Sequence, residues 1–161
     1  MKKIILTMAL FAITTMTVQA QAVYKEILRM SKEVANDEKK DTELRKIAQF
    51  KVDELSYMAI KTRELMPDSS AAVLDHQALA MYEFINMYMD KLAIAKKKEK
   101  KELVKYYFKQ ASTNNPRFQD TDLELTQAYY NNDGYLTQFS LDTDWQKALL
   151  EVKKRNWSNL R

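Results

Sequence analysis

Between Ser70 and Ile94 the chain reads SAAVLDHQALAMYEFINMYMDKLAI. Leu74, Ala78, Met81, Ile85, Tyr88 and Leu92 recur at steps of three and four, one stripe along a helix. Val73, Ala80, Phe84 and Met87 widen that stripe, and only the narrow line His76, Glu83, Asp90, Lys97 is polar. A helix apolar over most of its circumference is covered on most sides, so this one is expected at the centre of a helical bundle. Pro67 stops whatever precedes it, because a residue before proline resists helical torsions. Asp68-Ser69-Ser70 is expected to cap the new helix.

Outward from that centre the pattern stays helical. Leu44, Ile47, Ala48, Leu55, Met58, Ala59, Thr62 and Leu65 mark a buried arc on a second helix over about 42–66. Val23, Ile27, Met30 and Val34 mark a first one, ending at the polar break 36–40. Downstream, Leu103, Val104, Tyr107, Phe108 and Ala111 define a fourth. If it continued the third without a break, the rod would be about 63 Å long, so a turn is expected near 95–101. A short helix over about 122–131 should end at Gly134 with a left-handed cap. The segment 135–141 reads as an irregular link. The last helix, about 143–156, should bury Trp145, Ala148, Leu149 and Val152. No strand-like alternation recurs. The expected fold is all-α, a single-domain bundle of five to six helices around a hydrophobic third.

Asp-Thr-acid-apolar occurs three times, at Asp41-Thr42-Glu43-Leu44, Asp120-Thr121-Asp122-Leu123 and Asp142-Thr143-Asp144-Trp145. The type suits a helix start: a side-chain oxygen accepts from free first-turn N–H groups, and the next acid faces the positive end of the dipole. Thr121 with Glu124 also fits a capping box. Unequal spacing points to recurrent capping rather than duplication.

Composition excludes much chemistry. The 161 residues include one Gly, two Pro, one His and no Cys, where an average chain this long carries about eleven Gly. A dinucleotide fingerprint, a P-loop and a nucleophile elbow all need more glycine. Without Cys there is no thiol nucleophile, disulfide or thiolate zinc site. His76 has Ala72, Val73, Leu79 and Ala80 at helical ligand spacings, so no metal pair forms. Asn131-Asn132-Asp133-Gly134 resembles the middle of a calcium loop, but Tyr129 and Ser140 stand where the first ligand and the bidentate Glu belong. No metal, cofactor or catalytic residue is assigned. Paired carboxylates remain the one enzymatic option, a hydrolase of envelope glycan or peptide, since two close acids can do glycoside chemistry without His or Cys.

Residues 1–22 read as an export signal: Lys2 and Lys3, an apolar core from Ile4 to Val18, then Ala20-Gln21-Ala22, with cleavage expected after Ala20 or Ala22. The core is short of the roughly 20 residues a spanning helix needs. The remaining domain, 23–161, is expected to be periplasmic or secreted. Of 26 Lys and Arg, the loss of Lys2 and Lys3 leaves 24 against 22 acids, a net +2. That is too little to argue for nucleic acid. Lys96, Lys97, Lys98, Lys100 and Lys101 lack interleaved aromatics and read as a solvated helix end, with contact to anionic lipid or envelope polymer as the alternative.

Aromatics crowd the second half, and adjacent pairs such as Tyr106-Tyr107 and Tyr129-Tyr130 cannot both face one core. Tyr and Trp are common in binding hot spots. An aromatic groove is therefore expected there, with Arg117, Phe118, Tyr129, Tyr130, Tyr135 and Trp157 as contacts for another envelope protein or a second copy of this chain.

Two resemblances add to this. Phe108, Ala111 and Pro116 have the spacing of the second helix of a tetratricopeptide repeat, which implies helical-hairpin packing and protein binding. Asn115-Pro116-Arg117-Phe118, Ala128-Tyr129-Tyr130-Asn131 and Leu141-Asp142-Thr143-Asp144-Trp145, with Lys147-Ala148-Leu149 after them, resemble small secreted helical proteins of Bacteroidetes that have no assigned activity. That resemblance implies an envelope location and lends no catalytic residue.

Overall fold

The computed structural model describes residues 22–160, so the export signal expected at 1–22 lies, all but Ala22, outside the described residues. The fold is an all-α bundle. Its helices are α1 (Ala22–Asn36), α2 (Thr42–Leu65), α3 (Ser70–Ile94), α4 (Lys98–Thr113), the single turn α5 (Leu123–Thr126) and α6 (Trp145–Lys154), closed by a 3-10 turn, Ser158–Leu160. No strand forms among the described residues. Pro116 and Thr143 make an isolated antiparallel bridge, with Arg117 N–H donating to Asp142 O at 2.8 Å and Asp144 N–H to Asn115 O at 2.7 Å.

The third helix is central, packing on α1, α2, α4 and α6. All six residues of its expected stripe are buried, as are Ala80 and Phe84. The expected turn falls at Ala95 to Lys97, after which α4 folds back and buries Val104, Phe108 and Ala111. Aromatic rings fill the centre. Phe84 meets Phe108, Phe139 and Trp145 at centroid distances of 4.9, 5.3 and 5.3 Å, all edge-on, the geometry that ring quadrupoles favour.

Several expectations are corrected. Leu44 and Leu65 are 46% and 57% exposed, and the inward arc of α2 instead carries Phe50, Glu54 and Tyr57. Ser69 occupies the N-cap of α3 without a side-chain cap bond. The helix expected over 122–131 lasts one turn, because the chain from Gln127 onward bends to seat Tyr129 against Phe50 at 4.9 Å. Gly134 does not take a left-handed conformation; the positive φ among the described residues belongs to Gln119, at 52°. A side chain at 134 would instead crowd Asn132. A Cβ there would stand 3.0 Å from Asn132 Oδ1, which already accepts the Gly134 N–H at 2.9 Å.

The Asp-Thr-acid repeat caps in two registers. Asp41, its first residue, accepts from Glu43 N–H and Leu44 N–H. In the other two copies the third residue caps: Asp122 accepts from Leu125 N–H, and Asp144 from Lys147 N–H. Thr121 is therefore not the cap, and the expected capping box with Glu124 does not form. The freed first acids do other work. Asp142 accepts from Phe118 N–H at 2.6 Å and Asp120 N–H at 3.0 Å, holding the 117–122 loop.

Candidate functional site

A cleft of about 490 Å³ opens between the start of α2, the outer face of α4 and the loop 133–138. Tyr106 and Tyr135 stand on its walls with Lys105, Lys109, Glu43 and Glu102. Its loop wall is clasped from both sides. From α2, Lys46 Nζ donates to Gly134 O at 2.7 Å and lies 5.6 Å from the Tyr135 ring centroid. From α4, Lys109 Nζ donates to Tyr130 O at 2.9 Å and Gln138 Oε1 at 3.3 Å, and sits 4.0 Å over the Tyr130 ring. Inside the loop, Gln138 Nε2 donates to Asp133 Oδ1 at 2.8 Å. Tyr135 also rests edge-on against Tyr129 at 4.9 Å, and Tyr129 OH donates to Asp53. Tyr106 is 57% exposed. The result is a preformed recess with two tyrosines, two cations and flanking carboxylates.

The six residues expected to form one aromatic groove are distributed. Tyr129, Tyr130 and Tyr135 are together at this cleft, though of the three it is Tyr135 that lines it. Arg117 and Phe118 belong to a different corner. There Arg117 lies 3.4 Å from Asp144, and Phe118 packs edge-on against Tyr57 at 6.0 Å. Trp157 lies against Phe108, 5.5 Å between centroids, donates Nε1–H to Val152 O and lines a separate recess with Lys91 and Ile94. Lys96, Lys97, Lys98 and Lys101 are exposed and Lys100 half-exposed, all outside the cleft. Sequence reasoning missed Lys105 and Lys109 as cleft residues. The adjacent pair Tyr106-Tyr107 carried the signal for Tyr106, since one of the two had to face outward.

A second polar cluster lies inside the bundle. Glu54 is fully buried, and Trp145 Nε1 donates to its Oε1 at 2.7 Å, while Oε2 has no hydrogen-bond partner among the described residues. Gln77 joins from α3: its Oε1 accepts Trp145 N–H at 2.7 Å and its Nε2 donates to Asp144 Oδ1 at 3.1 Å. Burial pushes the Glu54 carboxyl well above the usual carboxylate range. The Trp145 hydrogen bond opposes this and the Asp142 charge adds to it. Burial also pushes Asp144 upward, but hydrogen bonds from Gln77 and Lys147 N–H, with the Arg117 and Lys147 charges, leave it below its ordinary value. At the rim, Lys61, 2.8 Å away, holds Asp120 low. That carboxylate also accepts the Tyr57 hydroxyl at 2.9 Å.

A general acid must come within hydrogen-bond reach of its substrate. Glu54 is 0% exposed and lines neither the cleft nor the Trp157 recess. Its consequence is for stability. An unfolded Glu ionises near about pH 4.3. The folded Glu54 stays protonated to higher pH, so its contribution is complete below that point and is lost as pH rises toward the folded value. The loss runs at up to about 1.4 kcal/mol per pH unit. Glu54→Gln cannot ionise and keeps an acceptor for Trp145. Urea unfolding across a pH series should show the variant gaining on the parent as pH rises above about 4.3. Asp120 and Asp144 act oppositely, losing stability toward acid, and cancel in the difference between the two proteins.

Among the described residues no group of three His, Asp or Glu gathers as a metal site would require, and no helix is long and apolar enough to cross a membrane. No family model matches the chain, nor does any curated protein or solved structure.

Proposed function

We propose that the protein is an exported, non-enzymatic binding protein of the bacterial envelope whose contact site for another protein is the Tyr106–Tyr135 cleft. The observation that carries this is the pair of tyrosines on the walls of a recess already braced by Lys46 and Lys109. Tyrosine offers large contact area for little conformational entropy, and a braced loop has little freedom left to lose on binding. Lys105, Lys109, Glu43 and Glu102 suit a partner segment carrying both signs of charge. The export signal at residues 1–22 supports the location.

The test is crosslinking and affinity capture from native envelope fractions, with the double variant Tyr106→Ala/Tyr135→Ala beside the parent. Tyr106 is exposed and Tyr135 half-exposed, so the double variant should keep its melting temperature within a few degrees while losing the captured partner. Trp157→Ala, away from the cleft, should retain it. Undiminished capture by the double variant, or an isolated protein that still begins at Met1, would overturn the proposal.

A further inference from the structure

A separate groove enclosing about 320 Å³ lies where α1 crosses α2 and α3. Small-molecule sites typically enclose roughly 300–1,000 Å³ and are mostly apolar with a few placed polar groups. Ile27, Val34, Ile47, Ile85 and Met89 form its walls. Met30 and Leu44 stand at its edge, 41% and 46% exposed. The sequence had placed Leu44 in the buried arc, and the groove is why it is not covered.

Among the described residues, Lys51 is the one charged residue lining this groove. Its Nζ lies 4.9 Å from the Tyr82 ring centroid, and among the described residues no carboxylate is paired with it. Lys51 is half-buried, and burial holds its ammonium below the ordinary lysine range. A cation in an apolar recess without an anion is a cost that a ligand can remove. Tyr82 and Asn86, one turn apart on α3, with Ser31 on α1, supply polar groups along the same recess.

We infer that this groove binds a single-chain anionic amphiphile, a fatty acid, with its acyl chain along Met30, Val34, Leu44 and Met89, over a floor of buried isoleucines, and its carboxylate on the Lys51 ammonium. The charge selects the class: a cationic amphiphile would face Lys51 unfavourably, and a neutral one would leave it unpaired. A polar peptide or sugar would leave its own groups unanswered along the apolar walls. The inference is independent of the Tyr106–Tyr135 cleft.

The test is calorimetric titration of the purified protein with dodecanoate, dodecanol and dodecyltrimethylammonium, each below its micelle concentration. Dodecanoate is expected to bind one to one, about tenfold or more tighter than either of the others, a difference of about 1.4 kcal/mol. Lys51→Met, which keeps the side chain's length and apolar stem, should weaken dodecanoate about tenfold and leave dodecanol within about twofold. Met30→Glu places a negative charge at an exposed position on the groove edge and should weaken dodecanoate selectively. It decides the matter if Lys51→Met does not fold. Equal affinity for dodecanoate and dodecanol, or dodecanoate binding untouched by either substitution, would overturn the inference. So would a dimer in sedimentation that Met30→Glu dissociates, since a second copy would then be the occupant.

Discussion

Trp145→Ala should lower stability by about 3–5 kcal/mol. The indole is fully buried and meets Phe50, Phe84 and Phe139 edge-on at 6.1, 5.3 and 6.2 Å. Removing it leaves a hole that three rings on three different segments cannot collapse into without moving their own supports. It also strips the hydrogen bond from Glu54, whose other carboxyl oxygen already has no partner among the described residues, and an unanswered buried polar group adds its own penalty. In a domain of this size the melting temperature should fall on the order of 10 °C. Trp145→Phe separates the two contributions, because it keeps most of the volume and removes only the indole N–H. Urea unfolding of both variants should place it between the parent and Trp145→Ala.

Asp142→Ala should cost about 3 kcal/mol and act locally as well. The Asp142 carboxylate, 5% exposed, receives the N–H groups of Phe118 and Asp120, and hydrogen bonds to a charged acceptor are each worth about 1.5–3 kcal/mol. The backbone bonds that join Asn115 and Arg117 to Asp144 and Asp142 remain, so the loop stays anchored at its start and loosens beyond it. Amide exchange at Phe118 and Asp120 should accelerate far more than at Arg117. Asp142→Asn, which keeps one acceptor oxygen, should fall midway. Unchanged exchange at both amides would mean that the carboxylate is not what holds the loop.

The course of the main helices is legible from periodicity alone, down to the bounds of Ser70–Ile94, because apolar residues at steps of three and four can be satisfied only one way. What escapes is decided by neighbours distant in sequence. Glu54 follows Ile47 and Phe50 at helical spacing, so an acid inside the stripe was visible, but nothing local says that an indole from residue 145 will meet it. The Asp-Thr-acid segments signal helix starts, yet whether the first or the third residue caps depends on what else wants the first. In the third copy, two amides of the 117–122 loop claim it. The one-turn α5 departs from the longer helix for a similar reason: Tyr129 packs edge-on against Phe50, a partner 79 positions earlier that nothing local announces. The cleft is harder still, since its walls come from residues 43, 102–109 and 133–138 and meet only after the bundle has closed.

The Trp145 indole bonds to an acid 91 positions earlier, and its amide to a glutamine 68 positions earlier. That has a consequence for synthesis. The ribosome delivers α1, α2 and α3 first, and these can pair as neighbours, but the centre of the molecule keeps an indole-sized vacancy until residue 145 is available to fill it. Contacts that reach so far back along the chain form slowly. A nascent chain stalled before residue 145 would display Phe50, Phe84 and the bare Glu54 carboxyl to whatever surrounds it. Any truncation upstream of residue 145 would therefore leave the same centre open, whichever helix it fell in.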